Sequence, residues 1–186
     1  MYNVKRIPTC AILVAIAYLT SKIEIFNFLF PNGGSITFFS MLFLSLPGYF
    51  FGFKYGLISC LVFSMIKFIT GMFIYSPLQG IIDYILSFLP FAITGLIVFS
   101  NNKNGFVIGY IIAVVFRLIL SVVSGVLFFS EYAPENTPAL AYSFMYNAGY
   151  IVPEAVVTIV ILETDLAKKY LLLIKNKINI VNKKDD

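Results

Sequence analysis

The sequence predicts an all-α integral membrane protein, folded as a bundle of six transmembrane helices. Of its 186 residues, 60% are hydrophobic and only 12% are charged, and the mean hydropathy is +0.92. A soluble domain of this size leaves a large share of its residues at the surface, so it could not hide so much apolar surface from water. Because one spanning helix needs roughly 20 apolar residues, the length admits about six spans. We expect a single membrane domain over residues 1–186.

Hydrophobic runs separated by polar turn residues define the individual spans. Turn clusters at Pro31–Gly34 and Asn101–Gly105 and the charge of Lys54 mark three of the breaks, and Pro47–Gly48 interrupts the second span. A basic tail, residues 166–186, follows the last span. The six predicted spans are residues 4–21, 36–53, 56–74, 78–99, 105–129 and 141–165.

The basic residues predict the orientation, because cytoplasmic loops of membrane proteins carry an excess of lysine and arginine. Lys22 falls at one end of the predicted bundle, and Lys67 and Arg117 fall inside spans. The other basic residues fall at the end that holds both termini: Lys5, Arg6, Lys54, Lys103, Lys168, Lys169, Lys175, Lys177, Lys183 and Lys184. We therefore expect both termini on the cytoplasmic side of the cell membrane. The tail is expected to meet anionic headgroups of the lipid bilayer rather than nucleic acid.

Missing motifs argue against an enzyme. The chain has no histidine, and Cys10 and Cys60 stand alone in apolar runs, so neither a metal site nor a disulfide is predicted. It has no G-x-x-x-x-G-K-[ST] and no G-x-S-x-G, the motifs of nucleotide-phosphate binding and of serine hydrolases. No cofactor is expected. If the protein moves a solute uphill, another subunit must supply the energy.

Four ionisable side chains fall within the predicted spans: Lys67, Asp83, Arg117 and Glu154. Each opposes insertion by about 2.5–3.5 kcal/mol at a helix centre, so such residues face the bundle interior or a wet cavity. Two acids and two bases could form structural pairs, Lys67 with Asp83 and Arg117 with Glu154. They could also line a binding site or an ion path, and the sequence leaves these alternatives open.

Polar and aromatic residues gather in the predicted outer half of the bundle. Asn147 and Glu154 lie on one face of the sixth span, seven residues apart, and Gln79 and Asp83 lie one turn apart in the fourth. With the tyrosines at 142–150, they predict a cavity that holds a carboxylate, an amide and several rings. Such a cavity suits a small, flat and possibly cationic molecule that arrives from outside.

Several short blocks resemble one known family. They are Gly33-Gly34-Ser35-Ile36-Thr37 with Ser40-Met41, Ser76-Pro77-Leu78-Gln79 with Asp83-Tyr84, Ser124-Gly125-Val126 with Phe128-Phe129, Tyr132-Ala133-Pro134-Glu135, and Tyr142-Ser143 with Tyr146-Asn147 and Pro153-Glu154. In this order, from residue 33 to residue 154, they resemble the thiamine-specific substrate-binding (S) component of energy-coupling factor (ECF) transporters.

The resemblance implies a six-helix subunit that binds thiamine from outside and associates with a transmembrane coupling protein and two cytoplasmic ATP-binding cassette ATPases. The S component is then expected to topple in the membrane when its partners use ATP. Docking on the coupling protein would use small residues of the first helix, here Ala11 and Ala15, since small residues let membrane helices approach closely.

The resemblance also implies a set of ligand contacts. Asp83 would balance the thiazolium cation, Tyr142 and Asn147 would contact the two rings, Phe129 would stack, Gly125 would allow close approach, and Ser124 could add a hydrogen bond. Candidates by proximity are Gln79, Tyr75, Tyr146 and Glu154.

Two departures from the family pattern keep other ligands open. Ser121 takes a position that is histidine in some members, and the chain has no tryptophan. The ligand could therefore be a thiamine precursor or another small vitamin. A stand-alone ion-coupled carrier or channel is the remaining alternative.

Overall fold

The computed structural model describes residues 6–25, 34–71, 74–97 and 104–184, which are mostly helical. The elements in chain order are α1 (Arg6–Thr20), β1 (Glu24–Ile25), β2 (Ile36–Thr37), α2 (Ser40–Phe51), α3 (Phe53–Thr70), α4 (Pro77–Gly80), a π-helical turn (Ile81–Leu86), a 3-10 turn (Leu89–Ile93), α5 (Thr94–Ile97), α6 (Gly105–Phe128), a second 3-10 turn (Ser130–Tyr132), α7 (Ala139–Glu163) and α8 (Asp165–Lys184). Residues 4–5, 72–73 and 98–99 of the predicted spans, and residues 31–33 and 101–103 of the predicted breaks, lie outside the described residues.

The described helices have the length and composition of a membrane bundle. Within the described residues, four segments are long and apolar enough to cross a bilayer: Phe53–Thr70, Pro77–Leu96, Gly105–Phe128 and Ala139–Glu163. Helices α1 and α2 are apolar but shorter, at 15 and 12 residues. Large apolar side chains such as Ile69, Met145 and Val160 point outward, as expected where the solvent is lipid. The predicted helical membrane protein is confirmed, whereas the count of six spans and the cytoplasmic termini stay predictions.

The fourth predicted span is not one regular helix. The hydroxyl of Ser76 accepts the N–H of Gln79 at 3.2 Å and so caps α4. Further on, the N–H and the hydroxyl of Ser87 both donate to the carbonyl of Ile82, at 3.0 and 2.8 Å, which closes the wider π-helical ring. Such turns occur often at functional sites, and this one carries Asp83.

A tight glycine turn joins α2 to α3. Gly52 has φ 89°, a conformation that glycine adopts without the penalty of a Cβ atom. The break predicted at Lys54 therefore falls two residues earlier, and Lys54 lies in the first turn of α3. The two helices also touch closely: a Cβ atom on Gly56 would lie 2.8 Å from the Cα atom of Gly48.

The core of the bundle draws on α1, α2, α3, α6, α7 and the 3-10 turn at Leu89–Ile93. Its largest buried side chains include Met41, Leu44, Phe63, Phe91, Tyr110 and Ile151. Strand β1 pairs with β2 in antiparallel register at the end of the bundle where Tyr75 faces Phe129, with ring centroids 6.4 Å apart. At the other end Tyr49 meets Phe106 at 4.4 Å, and α8 crosses there, with Lys175 over the Tyr49 ring. We call these the strand end and the tail end.

Candidate ligand-binding site

A cavity of about 120 Å³ opens at the strand end of the bundle. This is roughly ten times the 10–15 Å³ that a single water position needs, so a small organic molecule can enter it. Its walls come from the segment 34–40, the last turn of α3, the π-helical turn and the facing halves of α6 and α7. The lining residues are Ser21, Gly34, Ser35, Thr37, Ser40, Lys67, Gln79, Asp83, Tyr84, Phe88, Arg117, Ser121, Gly125, Phe129, Tyr142, Ser143, Tyr146, Asn147 and Tyr150.

Asp83 supplies the carboxylate that lines the cavity, and Gln79 holds it. The side-chain N–H of Gln79 donates to Asp83 Oδ2, and Gln79 Oε1 accepts the backbone N–H of Tyr75 at 3.0 Å. Because Gln79 is buried and fixed at both ends of its amide, it sets the direction of the acid. Ser124 lies buried near this carboxylate.

Asn147 joins α6 to α7 along the wall of the cavity. Its Nδ2 donates to the carbonyls of Ser121 and Ser143, at 3.3 and 2.9 Å, and its Oδ1 accepts the hydroxyl of Tyr150 at 2.6 Å. Gly125 makes this close approach possible, since a Cβ atom there would collide with the Ser143 hydroxyl. The seam is thus a rigid, hydrogen-bonded surface.

Aromatic side chains form the upper part of the cavity. The rings of Tyr142 and Tyr146 are 6.2 Å apart, and those of Tyr146 and Tyr150 are 6.0 Å apart and nearly perpendicular. The Tyr146 hydroxyl accepts the N–H of Gly34 at 3.1 Å, which ties the segment after β1 to α7. With Phe129, these rings offer flat apolar faces to a planar ligand.

Two cations share the cavity with Asp83. The guanidinium carbon of Arg117 lies 4.4 Å from the centroid of the Phe88 ring, a cation–π distance. Its Nε and Nη1 are buried without a hydrogen-bond partner among the described residues. Lys67 lies in the last turn of α3. The cavity is therefore electrically polar, with donors on α3 and α6 and an acceptor on the π-helical turn.

Glu154 anchors the wall and does not line the cavity. Its Oε2 accepts the N–H and the hydroxyl of Thr37, at 3.2 and 2.6 Å. Its Oε1 accepts the N–H of Met41 at 3.1 Å and the hydroxyl of Ser40 at 3.4 Å. The side-chain partners of Glu154 are residues 37–41, so its hydrogen bonds do not depend on the suggested pair with Arg117.

The structure brings most of the predicted site residues together. Those that line the cavity are Asp83, Tyr142, Asn147, Phe129, Gly125, Gln79, Tyr146 and Ser121. Glu154 and Ser124 lie buried behind the wall, and Tyr75 is 71% exposed beside Phe129. Which of these residues contact a ligand stays a prediction.

The predicted ligand contacts omitted several residues that line the cavity: Ser21, Gly34, Ser35, Thr37, Ser40, Lys67, Tyr84, Phe88, Arg117, Ser143 and Tyr150. A signal existed for some of them. Lys67 and Arg117 were charges inside apolar spans, and Gly34, Ser35 and Tyr84 belonged to the family blocks. For Ser21 and Phe88 the sequence offered no signal.

A helical membrane bundle with a polar, ring-lined cavity at one end defines the class: a membrane-embedded binding protein for a small molecule. The family model described as thiamine transporter protein (Thia_YuaJ) matches residues 7–174. The chain belongs to this family, and the resemblance seen in the sequence blocks is confirmed.

Relatives agree with the family model. The thiamine transporter ThiT of Bacillus subtilis is 30% identical over 169 residues, 84% of this chain and 88% of that protein. ThiT of Lacticaseibacillus paracasei is 29% identical over 126 residues, 62% of this chain and 61% of that protein. A solved structure of ThiT from Listeria monocytogenes has a TM-score of 0.70 at 24% identity, covering 90% of this chain and 98% of that one. That structural likeness shows the fold.

Proposed function

We propose that the protein is the substrate-binding subunit of an ECF-type vitamin importer and that it captures thiamine in the cavity at the strand end. The observation that carries the proposal is one carboxylate, Asp83, set in a cavity whose other walls are aromatic rings and hydrogen-bond donors. Thiamine is a planar aminopyrimidine joined to a cationic thiazolium. A flat cation is bound by ring faces together with a negative charge.

The polarity of the cavity supports one orientation of the ligand. The thiazolium lies on the side of Asp83, where the charges attract. The neutral aminopyrimidine lies toward Arg117, because its ring nitrogens accept hydrogen bonds and the guanidinium carries only donors. In the opposite orientation the thiazolium would lie beside the Arg117 cation, and the repulsion between the two positive charges would be strong at low dielectric.

The direction of capture follows from the proposed topology. The excess of basic residues at the tail end supports a cytoplasmic position for both termini, so the strand end and its cavity face outside. The chain has no nucleotide-binding motif, and partner ATPases supply the energy through a coupling protein. Ala11 and Ala15 are exposed on α1, whereas Cys10, Val14 and Ala17 face the core, which leaves a small-residue face free for that coupling protein.

Isothermal titration calorimetry of the purified chain tests the binding step. Asp83→Asn should weaken thiamine binding by about 1.5–3 kcal/mol, the range for a hydrogen bond to a charged group, or roughly 10- to 150-fold in Kd. Binding of an uncharged isostere, with thiophene in place of thiazolium, should change much less. Glu131→Gln is the matched control, because Glu131 is an exposed acid at the strand end outside the cavity. An equal loss of affinity for thiamine and for the uncharged isostere in Asp83→Asn would show that Asp83 has only a structural role.

Two further experiments separate the alternatives. Mass spectrometry of the small molecule that copurifies in mild detergent distinguishes thiamine from a precursor or another vitamin. Uptake in ATP-free proteoliposomes distinguishes a subunit from a carrier. We expect the chain alone to bind thiamine but not to accumulate it when a proton or sodium gradient is applied.

A further inference from the structure

Helix α8 is bound to the bundle by one of its faces. Leu171 packs against the buried cluster at the tail end that includes Tyr49, Phe106 and Leu162. One turn further, Lys175 Nζ lies 4.6 Å from the centroid of the Tyr49 ring, and its partial burial there lowers the pKa of Lys175. These contacts fix which face of α8 turns to the bundle.

A second apolar face of the same helix is uncovered. Leu166, Tyr170, Leu173 and Ile174 are 67%, 58%, 53% and 45% exposed. Their spacing of four, seven and eight residues from Leu166 places them on one side of a helix, turned away from Leu171 and the bundle. We call these four residues the outer stripe.

Position and charge indicate what covers the outer stripe. Helix α7, which is long and apolar enough to span a bilayer, ends at Glu163, and α8 begins at Asp165, so the stripe starts at the depth of a membrane surface. Lys168 pairs with Glu163 and Lys175 lies on Tyr49. Lys169 is exposed beside the stripe, and Lys177 is exposed on the same face as the stripe, one turn beyond Leu173. An apolar helix face flanked by lysines complements an anionic lipid surface.

We propose that α8 is an interfacial anchor, in which the outer stripe inserts into the adjoining lipid leaflet while Lys169 and Lys177 contact anionic headgroups. Lysine can extend its charged end to the headgroups and leave its methylene stem in the apolar layer. The proposal concerns the tail end, so it does not depend on the ligand or on the cavity.

The absence of tryptophan from the chain makes a clean test possible. Tyr170→Trp places one reporter in the outer stripe of the full chain, and Asn176→Trp places a matched reporter at an exposed polar position of the same helix. Both variants are reconstituted into phosphatidylcholine vesicles with and without phosphatidylglycerol. Emission and quenching by lipids brominated in the upper acyl chain are then measured.

The anchor predicts a blue-shifted emission for Tyr170→Trp and at least twice the lipid quenching of Asn176→Trp, stronger in the anionic vesicles. Adding Lys169→Gln and Lys177→Gln should remove the difference between the two vesicle types. A water-like emission of Tyr170→Trp with no lipid quenching overturns the proposal. That is also the result expected if the outer stripe binds a protein partner instead of lipid. Quenching that is equal in neutral and anionic vesicles overturns the headgroup contact.

Discussion

Replacing Glu154 by glutamine should loosen the cavity wall without touching the ligand. The carboxylate accepts four hydrogen bonds from residues 37–41, two at each oxygen, and two of the donors are backbone N–H groups. An amide keeps one acceptor oxygen, so at least one backbone N–H loses its acceptor in a buried place, which costs about 1–3 kcal/mol. The bonds that survive also lose their charge assistance. We expect a total of about 2–4 kcal/mol.

The hydrogen bonds from Glu154 also hold a strained stretch of backbone in place. Phe39, between the held residues, has φ 61°, a left-handed conformation that costs a non-glycine residue about 1 kcal/mol or more. Opening of the segment relieves this strain, so the wall is poised to open once the carboxylate weakens. A change of 2–4 kcal/mol raises the opening equilibrium by roughly 30- to 700-fold.

Hydrogen–deuterium exchange read by mass spectrometry measures this opening directly. Peptides that cover residues 36–41 should exchange faster by that factor in Glu154→Gln, with α6 unchanged, and thiamine should dissociate faster. Thr37→Val removes the contacts of the Thr37 hydroxyl with Glu154 and Ser40 but keeps the carboxylate, so its exchange should fall between that of Glu154→Gln and that of the wild type. Glu163→Gln is the control, because its pair with Lys168 is exposed. Unchanged exchange of residues 36–41 in Glu154→Gln would refute the reasoning.

Three other variants probe the seam between α6 and α7, the docking face of α1 and the Phe129 ring. Gly125→Ala places a Cβ atom against Ser143; overpacking should lower stability by about 1–3 kcal/mol and weaken thiamine binding, as thermal shift and calorimetry will show, and an unchanged melting temperature would contradict the close contact. Ala11→Leu with Ala15→Leu should leave binding intact and abolish copurification with the coupling protein; preserved assembly would disprove docking there. Phe129→Trp enlarges the stacking face and should tighten binding by about 0.5–1.5 kcal/mol, with quenching of the new tryptophan by thiamine; a loss of affinity would indicate that the ring does not stack.

The sequence predicted the membrane bundle and much of the site, because both depend on local composition and spacing. Asp83 was identified as a charge inside an apolar span, and Tyr142 and Asn147 by a family block and by helical spacing. The role of Glu154 was beyond such reasoning, since its partners at residues 37–41 lie more than a hundred residues away. The π-helical turn was missed for a related reason: no local pattern separates Ile81–Leu86 from an ordinary helix.

The π-helical turn makes the fourth span a less regular helix, and it also positions Asp83 in the cavity. A wider ring leaves backbone groups less well bonded, and lipid does not tolerate such groups, so the turn can persist only where it faces protein or a wet cavity. Deleting one residue, for instance Ile82, would let the segment wind as a regular α-helix and swing Asp83 about 100° around the axis. The shortened chain would gain a smoother helix and lose its acid from the binding chamber. One inserted residue thus makes the fourth span less regular as a helix and, in return, directs Asp83 to the place where a ligand can meet it.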